Sequence, residues 1–424
     1  MNAMTDAARL PRQLHPFARP AAAADTFVDI VSGKGAEVTD AQGRVYIDAL
    51  GSLWYCNVGH GRPEIADAVA AQMRRLEVFH TFDRFTNPMA DALADRLAGL
   101  APMDDARVLL TSGGSESVES AIKLARIAQR LGGHPERTVV VSRHPSYHGV
   151  TYAAMTVTGL PSNQDGFAPL VPDVVQVPYD DLEALDHLAE GAEGRVAAVI
   201  AEPVVGAGGV YPPPEGYLAG LRERCDRWGA YLVLDEVICG FGRLGEWWGA
   251  THFGVRPDLV TFAKGVTSGY LPLGGVMVGP SVRGPLEADP SFVLRHGYTY
   301  SGHPLPAAAG LANLDIIDGE GLLARADVIA NLLGKALAAL VDGEHVLEAR
   351  GTMGIWAIAL ADHMPAPVLR DALLDFGVIA RPIGNATLAF CPPLVISDDQ
   401  MDRCVEGTRK AIAAVVGRTP AAPS

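Results

Sequence analysis

Short, continuous runs of apolar residues alternate with helix-length segments through the middle of the chain. Six runs are strand candidates, at residues 106–111, 138–142, 196–202, 231–236, 259–264 and 274–279. Each run is apolar throughout rather than alternating, which is typical of strands covered on both faces. Helical segments such as 115–131 and 216–229 lie between several of them. The pattern predicts an α/β fold whose mostly parallel sheet is sandwiched by helices.

The two ends of the chain differ from this middle part. Within residues 27–48 the sequence DAQGR predicts a turn between two short strands. Towards the other end, helices predicted near 322–341 and 398–416 indicate a compact α/β unit. We therefore expect an N-terminal arm and part of a small domain over residues 1–69, a large domain over 70–310, and the C-terminal part of the small domain over 311–424.

Composition and charge narrow the class of protein. The chain has 424 residues, of which 49% are hydrophobic and 20% charged, so it is long enough for a large buried core. Its formal net charge of −15 argues against a nucleic-acid or anionic-membrane surface, because both require basic patches. No run approaches the roughly 18 apolar residues of a membrane span. We expect neither nucleic-acid nor membrane partners.

The cysteines and the N-terminus indicate a cytoplasmic protein. The five cysteines are widely spaced and contain no C-x-x-C pair, which suggests neither a disulfide framework nor a metal site. Free thiols are typical of a reducing compartment. Residues 1–26 lack the apolar core of a signal peptide.

One strand candidate leads into a glycine-rich helix start. In TSGGSESVESAIKLAR, Ser115 is the expected N-cap, with Glu116 and Glu119 in the first turn. Gly113 and Gly114 would let the backbone approach a ligand, and the free N–H groups of a helix start bind anions. An ordinary strand–turn–helix cap explains the stretch equally well. The spacing matches neither G-x-G-x-x-G nor a Walker A loop, so it does not support dinucleotide or ATP binding.

Two further strand candidates end in ionisable residues. Asp235 and Glu236 close one strand and must point to opposite faces, because side chains alternate along a strand. Lys264 closes the next one, between an apolar run and a glycine-rich turn. Pyridoxal phosphate needs a lysine, a carboxylate for its ring nitrogen and an anion cradle. Asp235 as a surface acid and Lys264 as a snorkelling lysine are the plainer alternatives. The three features together favour the cofactor.

The sequence resembles the class III aminotransferases, pyridoxal-phosphate enzymes of fold type I. The resemblance runs from about residue 27 to 415 and is strongest to the branch that acts on amines or ω-amino acids with pyruvate. Its most specific parts are LDEVICGFGRLGEWWG, FAKGVTSGYLPLGGV and HGYTYSGHPLPAAAG. It implies a large cofactor-binding domain with a seven-stranded sheet, and a smaller α/β domain built from both chain ends.

The resemblance also implies roles for individual residues. Lys264 would form the Schiff base and then move the proton of the substrate carbon, while Asp235 would pair with the protonated ring nitrogen. Val237 and Tyr147 would cover the two faces of the ring. The implied cofactor-binding set is Gly114, Ser115, Tyr147, His148, Glu202, Asp235, Val237, Lys264 and Thr299. Thr299 would reach the phosphate from the other subunit, which implies a homodimer.

Substrate contacts are implied for three residues. Trp54 and Tyr147 would line the substrate pocket, and Arg381 would bind a substrate carboxylate. The plainer alternatives are core or interface packing for Trp54, a solvated loop for Arg381 and a structural role for Thr299.

The implied activity is a ping-pong transfer of an amino group from an amine or ω-amino acid to a keto acid, with pyruvate as the expected acceptor. Within the family, a diaminopelargonate-type enzyme, a diamine transaminase or a 1,2-aminomutase is the alternative. A non-catalytic pyridoxal-phosphate-binding protein is a more remote one.

Overall fold

The computed structural model describes residues 10–418. Fifteen strands are found within that range. They are β1 (Ile30–Lys34), β2 (Glu37–Asp40), β3 (Val45–Asp48), β4 (Arg107–Thr111), β5 (Val139–His144), β6 (Val174–Pro178), β7 (Val196–Ala201), β8 (Tyr231–Asp235), β9 (Leu259–Phe262), β10 (Gly274–Val278), β11 (Val346–Thr352), β12 (Ile355–Leu360), β13 (Val378–Ile379), β14 (Arg381–Ile383) and β15 (Thr387–Phe390).

The α-helical segments connect and cover these strands. They are α1 (Gly51–Trp54), α2 (Pro63–Arg75), α3 (Pro88–Gly99), α4 (Gly114–Leu131), α5 (Tyr152–Val157), α6 (Pro161–Gln164), α7 (Leu182–Ala192), α8 (Tyr217–Trp228), α9 (Gly249–His252), α10 (Pro280–Glu287), α11 (Pro304–Gly319), α12 (Arg325–Ile329), α13 (Lys335–Ala338), α14 (Ala366–Asp375) and α15 (Asp398–Arg418). None of the helices within residues 10–418 combines the length and apolar character that crossing a membrane requires.

A seven-stranded sheet forms the centre of the molecule. Its strand order is β4-β10-β9-β8-β7-β5-β6, and β10 alone runs antiparallel to its neighbours. Every residue of β7 is buried. Val199 of β7 lies in one core cluster with Leu221 of α8, whereas Ile200 lies in another with Ile122 of α4. Both faces are therefore covered by helices, as the continuous apolar runs predicted.

Six of the seven strands follow the predicted runs to within two residues at each end, and the seventh, β6, was not predicted. Its sequence VVQVP is short and contains a glutamine and a proline. It lies at the edge of the sheet beside β5, where one side needs no partner strand. Edge strands tolerate such residues, so a search for continuous apolar runs misses them.

Two smaller four-stranded sheets flank the central one. In the first, of order β1-β2-β3-β13, Val378 and Ile379 pair in parallel with Ile47 and Asp48, so segments near both ends of the chain form one sheet. The second has the order β11-β12-β15-β14. This confirms a fold with a smaller α/β part drawn from both ends. The boundaries at residues 69/70 and 310/311 stay a prediction, and residues 1–9 of the expected arm lie outside the described range.

The helix expected near 322–341 is not continuous. The chain forms a 3-10 turn at Leu322–Ala324, then α12, a π-helical turn at Ala330–Gly334, and α13. A Cβ atom on Gly334 would lie 2.3 Å from Cζ2 of Trp356. The glycine is needed there because the indole of β12 packs directly on the helix backbone.

Candidate active site

The predicted site residues gather at one edge of the central sheet. Strands β4, β5, β7, β8 and β9 all run in the same direction, so the segments that follow them emerge at the same edge. Those segments carry, in order, Gly114, Tyr147, Glu202, Val237 and Lys264. Open α/β sheets bind their ligands at this carboxyl edge.

Lys264 lies just beyond β9 rather than at its last position. The strand ends at Phe262, and Lys264 begins a 3-10 turn with a φ of 48°. A left-handed backbone at a residue other than glycine is strained and is common at functional sites. Burial lowers the pKa of Lys264, while the negative charges of Asp235 and Glu202 oppose that shift. A lowered pKa favours the neutral amine, which is the nucleophilic form.

Asn313 holds the lysine turn in place, and the sequence analysis missed it. This fully buried residue of α11 donates from Nδ2 to the carbonyl oxygens of Gly265 (2.8 Å) and Val266 (3.0 Å). It lies 49 residues from Lys264, inside an otherwise apolar helix. A polar asparagine inside the apolar stretch AAAGLANLDII was the sequence signal that could have indicated a buried hydrogen-bonding role.

Asp235 is the last residue of β8 and is fixed by three donors. Nδ1 of His148 lies 2.7 Å from Oδ2, and Oδ1 accepts hydrogen bonds from Oγ1 of Thr261 (3.0 Å) and from the N–H of Val237 (3.1 Å). Thr261, on β9, was not identified from the sequence. Because both carboxylate oxygens are hydrogen-bonded, the carboxylate has a single orientation.

Glu236 points the opposite way, as strand alternation predicted. Its two oxygens accept hydrogen bonds from the N–H groups of Gly249 (2.9 Å) and Ala250 (2.6 Å). Complete burial raises the pKa of Glu236 to about 7. Of the two neighbouring carboxyl groups, Asp235 alone belongs to the site.

Glu202 follows β7 and organises the loop that carries Tyr147 and His148. Its Oε1 accepts from the N–H of Tyr147 (3.0 Å), and its Oε2 accepts from the N–H of Gly206 (2.8 Å). Burial raises the pKa of Glu202, and the nearby His148 opposes that shift. Both carboxylate oxygens thus accept from backbone N–H groups, which fixes the backbone at Tyr147.

The glycine-rich helix start differs in detail from the expectation. Helix α4 begins at Gly114 with Gly113 as its N-cap, so Ser115 is the second helical residue and the N-cap prediction is wrong. Glu119 accordingly falls in the second turn. Oγ of Ser115 instead accepts a hydrogen bond from the N–H of Val150 (3.0 Å), which leaves its own proton free to donate.

The remaining predicted residues lie in three different settings. Trp54 is 2% exposed and packs with Leu50, Ile238 and Cys391. Arg381 is half-buried, and its charge acts on both Tyr147 and Lys264. Thr299 is exposed on the single chain.

The residues at the sheet edge suit pyridoxal phosphate. A Cβ atom on Gly114 would lie 3.0 Å from Cγ1 of Val237, so glycine keeps the space between the helix start and Val237 open. The start of an 18-residue helix offers free N–H groups to a phosphate. A fixed carboxylate and a lysine of lowered pKa complete the donor set that this cofactor requires.

Known proteins match about nine tenths of the chain. The family model for class III aminotransferases matches residues 19–412. The omega-aminotransferase of Caulobacter vibrioides is 35% identical, over 91% of this chain and 93% of that protein. The beta-alanine–pyruvate aminotransferase of Pseudomonas aeruginosa is 36% identical, over 90% and 91%.

A solved structure gives the same result. The (S)-enantioselective omega-transaminase from Thermomicrobium roseum superposes with a TM-score of 0.90 at 36% identity, covering 95% of this chain and 96% of that one. The chain therefore belongs to the class III aminotransferases, a family of pyridoxal-phosphate-dependent transaminases.

Proposed function

We propose that this protein transfers an amino group from an amine or ω-amino acid to pyruvate by a ping-pong mechanism. The observation that carries the proposal is that the guanidinium of Arg381 is half-buried and unpaired. Its guanidinium is half-buried beside Tyr147 and makes no hydrogen bond or ion pair with any residue from 10 to 418. Burial lowers the pKa of Arg381, which reflects the unfavourable desolvation of an unpaired charge.

An unpaired guanidinium in this position suits a substrate carboxylate. Arginine binds carboxylates through two parallel N–H groups, and the gain is larger where water is partly excluded. The charge of Arg381 is felt at Lys264, so a carboxylate bound there would lie near the reacting centre. A keto acid such as pyruvate, or an ω-amino acid, has such a carboxylate.

Trp54 supports the amine half of the proposal. It belongs to one apolar cluster with Ile238 and Cys391. The charge of Lys264 opposes the rise that burial causes in the pKa of Cys391, so this cluster lies within electrostatic range of the lysine. We propose that Trp54 forms an apolar wall of the pocket, which would accept a donor without a second charge. One relative carries the name of a beta-alanine–pyruvate aminotransferase, which agrees with the ω-amino acid donor and the pyruvate acceptor rather than with the uncharged amine.

In the proposed mechanism, Lys264, Asp235 and Arg381 each have a separate role. Pyridoxal phosphate, when bound, supplies an electron sink and carries the amino group between the two half-reactions. Lys264 in its neutral form takes the proton from the donor's amine-bearing carbon. In the second half-reaction it returns a proton to the carbon that becomes the amino-bearing carbon of alanine. Asp235 keeps a proton on the ring nitrogen, and Arg381 orients the keto acid.

We also propose a homodimer in which Thr299 completes the phosphate site of the partner subunit. Three aromatic side chains near Thr299 in space, Phe79, Phe82 and Phe85, are 42–53% exposed on the single chain. Phe82 lies 3.5 Å from the position of a Cβ on Gly297, two residues before Thr299. Exposed aromatic patches of this kind are typical of protein–protein interfaces.

We also propose a cytoplasmic location, on the basis of the cysteine pattern.

The test is a half-reaction of the purified holoenzyme. We would record its visible absorbance before and after adding alanine, β-alanine, putrescine or 1-phenylethylamine separately. Bleaching with β-alanine or 1-phenylethylamine, and its reversal by pyruvate, is the expected result. Bleaching with putrescine alone would instead favour a diamine transaminase. No bleaching with any donor would contradict the proposed activity.

Arg381→Met separates the acceptor from the donor. We expect the KM for pyruvate to rise by about 10-fold or more while the half-reaction with 1-phenylethylamine stays unchanged. Arg370→Met is the matched control, because Arg370 is an exposed arginine paired with Asp371. Equal pyruvate KM values in the two variants would exclude Arg381 as the carboxylate site.

A further inference from the structure

A hydrogen-bonded network outside the catalytic residues joins the start of α4 to the segment before α11. The carbonyl oxygen of Glu116 accepts hydrogen bonds from the hydroxyls of Ser120 (2.7 Å) and Tyr298 (3.2 Å). Nε2 of His296 lies 2.8 Å from Oγ of Ser120. Two side chains of the distant segment thus contact the first two turns of the proposed phosphate-binding helix.

The proton positions in this network are determined by its donors. Nζ of Lys123 can only donate, so Nδ1 of His296, 3.0 Å away, must accept from it. Nε2 of the same ring then carries the proton and donates to Oγ of Ser120, whose own hydroxyl proton reaches the carbonyl oxygen of Glu116 and, at 3.4 Å, the hydroxyl of Tyr298. This arrangement requires a neutral His296. Burial and the charge of Lys123 both lower the pKa of His296, which agrees with that requirement.

Tyr298 also begins the turn that carries Thr299. The N–H of Ser301 donates to the carbonyl oxygen of Tyr298 (2.9 Å), and Oγ of Ser301 accepts from the N–H of Tyr298 (3.1 Å). Oγ1 of Thr81 anchors the other end through the carbonyl oxygen of Ser301 (2.9 Å). Thr299 is the exposed second residue of this closed turn. Its position therefore depends directly on that of Tyr298.

We propose that Tyr298 and His296 are positioning residues that couple the two cofactor phosphate sites of a dimer. The inference rests on the proposed function, in which Thr299 serves the partner subunit's site. Phosphate bound at α4 orders the helix start of one subunit. Through Tyr298 and His296 the same event orders the Thr299 turn, which then binds the partner's phosphate at a lower entropic cost. Such coupling through ordering produces positive cooperativity.

The experiment is reconstitution of the apoenzyme with pyridoxal phosphate, followed by visible absorbance. We expect a Hill coefficient above 1 for the wild-type dimer, where the limit for two sites is 2. In Tyr298→Phe the coefficient should fall to about 1, and the apparent Kd should rise by about 2- to 10-fold, as for one lost neutral hydrogen bond. Ser120→Ala removes the link through His296 but keeps the hydrogen bond from Tyr298 to Glu116, so it should lower the coefficient by less than Tyr298→Phe does.

Tyr231→Phe is the matched control, since that tyrosine also donates to a backbone carbonyl, of Ser281, at the opposite end of β8. It should bind as the wild type does. Light scattering must show that each variant remains a dimer. A non-cooperative wild type, or a cooperative Tyr298→Phe, would overturn the coupling.

Binding of the cofactor by Thr299→Ala shows whether the coupling alone is wrong or the proposed shared site is wrong as well. If Thr299→Ala weakens cofactor binding while the wild type is non-cooperative, the shared site stands and only the coupling is wrong. If Thr299→Ala binds the cofactor as tightly as the wild type, the shared site and the coupling are both wrong.

Discussion

Nδ1 of His148 lies 2.7 Å from Oδ2 of Asp235, and both side chains are buried beneath the carboxyl edge of the central sheet. Because Thr261 and the N–H of Val237 hold the other oxygen, the carboxylate cannot rotate away from the site. Asp235 is thus a preoriented negative charge, and preorientation is what makes such a group effective in catalysis.

Asp235→Ala should leave a protein that still binds pyridoxal phosphate but transfers amino groups at least about 10²-fold more slowly. The cofactor should stay bound because neither the helix start of α4 nor Lys264 is hydrogen-bonded to Asp235, whose partners are His148, Thr261 and the N–H of Val237. The rate should fall because, in the proposed role of Asp235, its carboxylate keeps the ring nitrogen protonated. The measurement is the half-reaction rate with the best donor. Glu236→Gln, one residue away on the other face, should keep a near-normal rate. Near-normal turnover by Asp235→Ala would refute the assigned role.

Asn313→Ala should destabilise the protein and slow the half-reaction. The carbonyl oxygen of Val266 would lose its buried donor, at a cost of about 1–3 kcal/mol, whereas that of Gly265 would keep the N–H of Ser268 (3.3 Å). The strained turn at Lys264 would then be free to relax. Denaturant unfolding and half-reaction kinetics measure the two effects.

Asn331→Ala is the control for Asn313, because Nδ2 of Asn331 also donates to a helix carbonyl but at an exposed position. Its effect on stability should stay within about 0.5 kcal/mol. A stability loss in Asn313→Ala no larger than in Asn331→Ala would show that the lysine turn does not need this side chain.

Glu236 should make stability fall as the pH rises from about 4.5 to 7. Its pKa is raised from 4.5 to about 7 by burial, so between these values the folded protein binds a proton that the unfolded chain has lost. Stability contributed by this proton is complete below pH 4.5 and disappears as the pH passes 7. Glu236→Gln should remove this part of the pH dependence, as measured by urea unfolding at several pH values.

Glu246→Gln serves as the comparison for Glu236, since Glu246 is an exposed carboxylate on the same loop. Its pH profile should match the wild type. If Glu236→Gln also retains the wild-type slope, the buried carboxyl group does not titrate in this range.

Gly334→Ala should destabilise the protein by about 1–3 kcal/mol, because its Cβ would lie 2.3 Å from the indole of Trp356. Gly284→Ala, inside α10, meets no atom within 4 Å and should be neutral or stabilising by up to about 1 kcal/mol. Thermal unfolding compares the pair. If Gly334→Ala were as stable as the wild type, the π-helical turn would be able to move away from Trp356.

Local sequence was sufficient to predict the central sheet and its reactive edge. Continuous apolar runs identify strands covered on both faces, and six of the seven were found in this way. Strand alternation separated Asp235 from Glu236, since that rule depends only on neighbouring residues. The glycine-rich helix start, Asp235 and Lys264 together predicted pyridoxal phosphate, and the family resemblance agreed with that prediction.

The tertiary structure alone decided which groups hold these residues. Asn313 contacts the lysine turn from 47 and 48 residues away, and His148 reaches Asp235 across 87. Ser115 accepts from Val150 instead of capping its helix, because the neighbouring loop folds back onto α4. Periodicity and capping rules describe interactions within a few residues of each other. Hydrogen bonds between distant segments depend on how the elements pack, which no local pattern specifies.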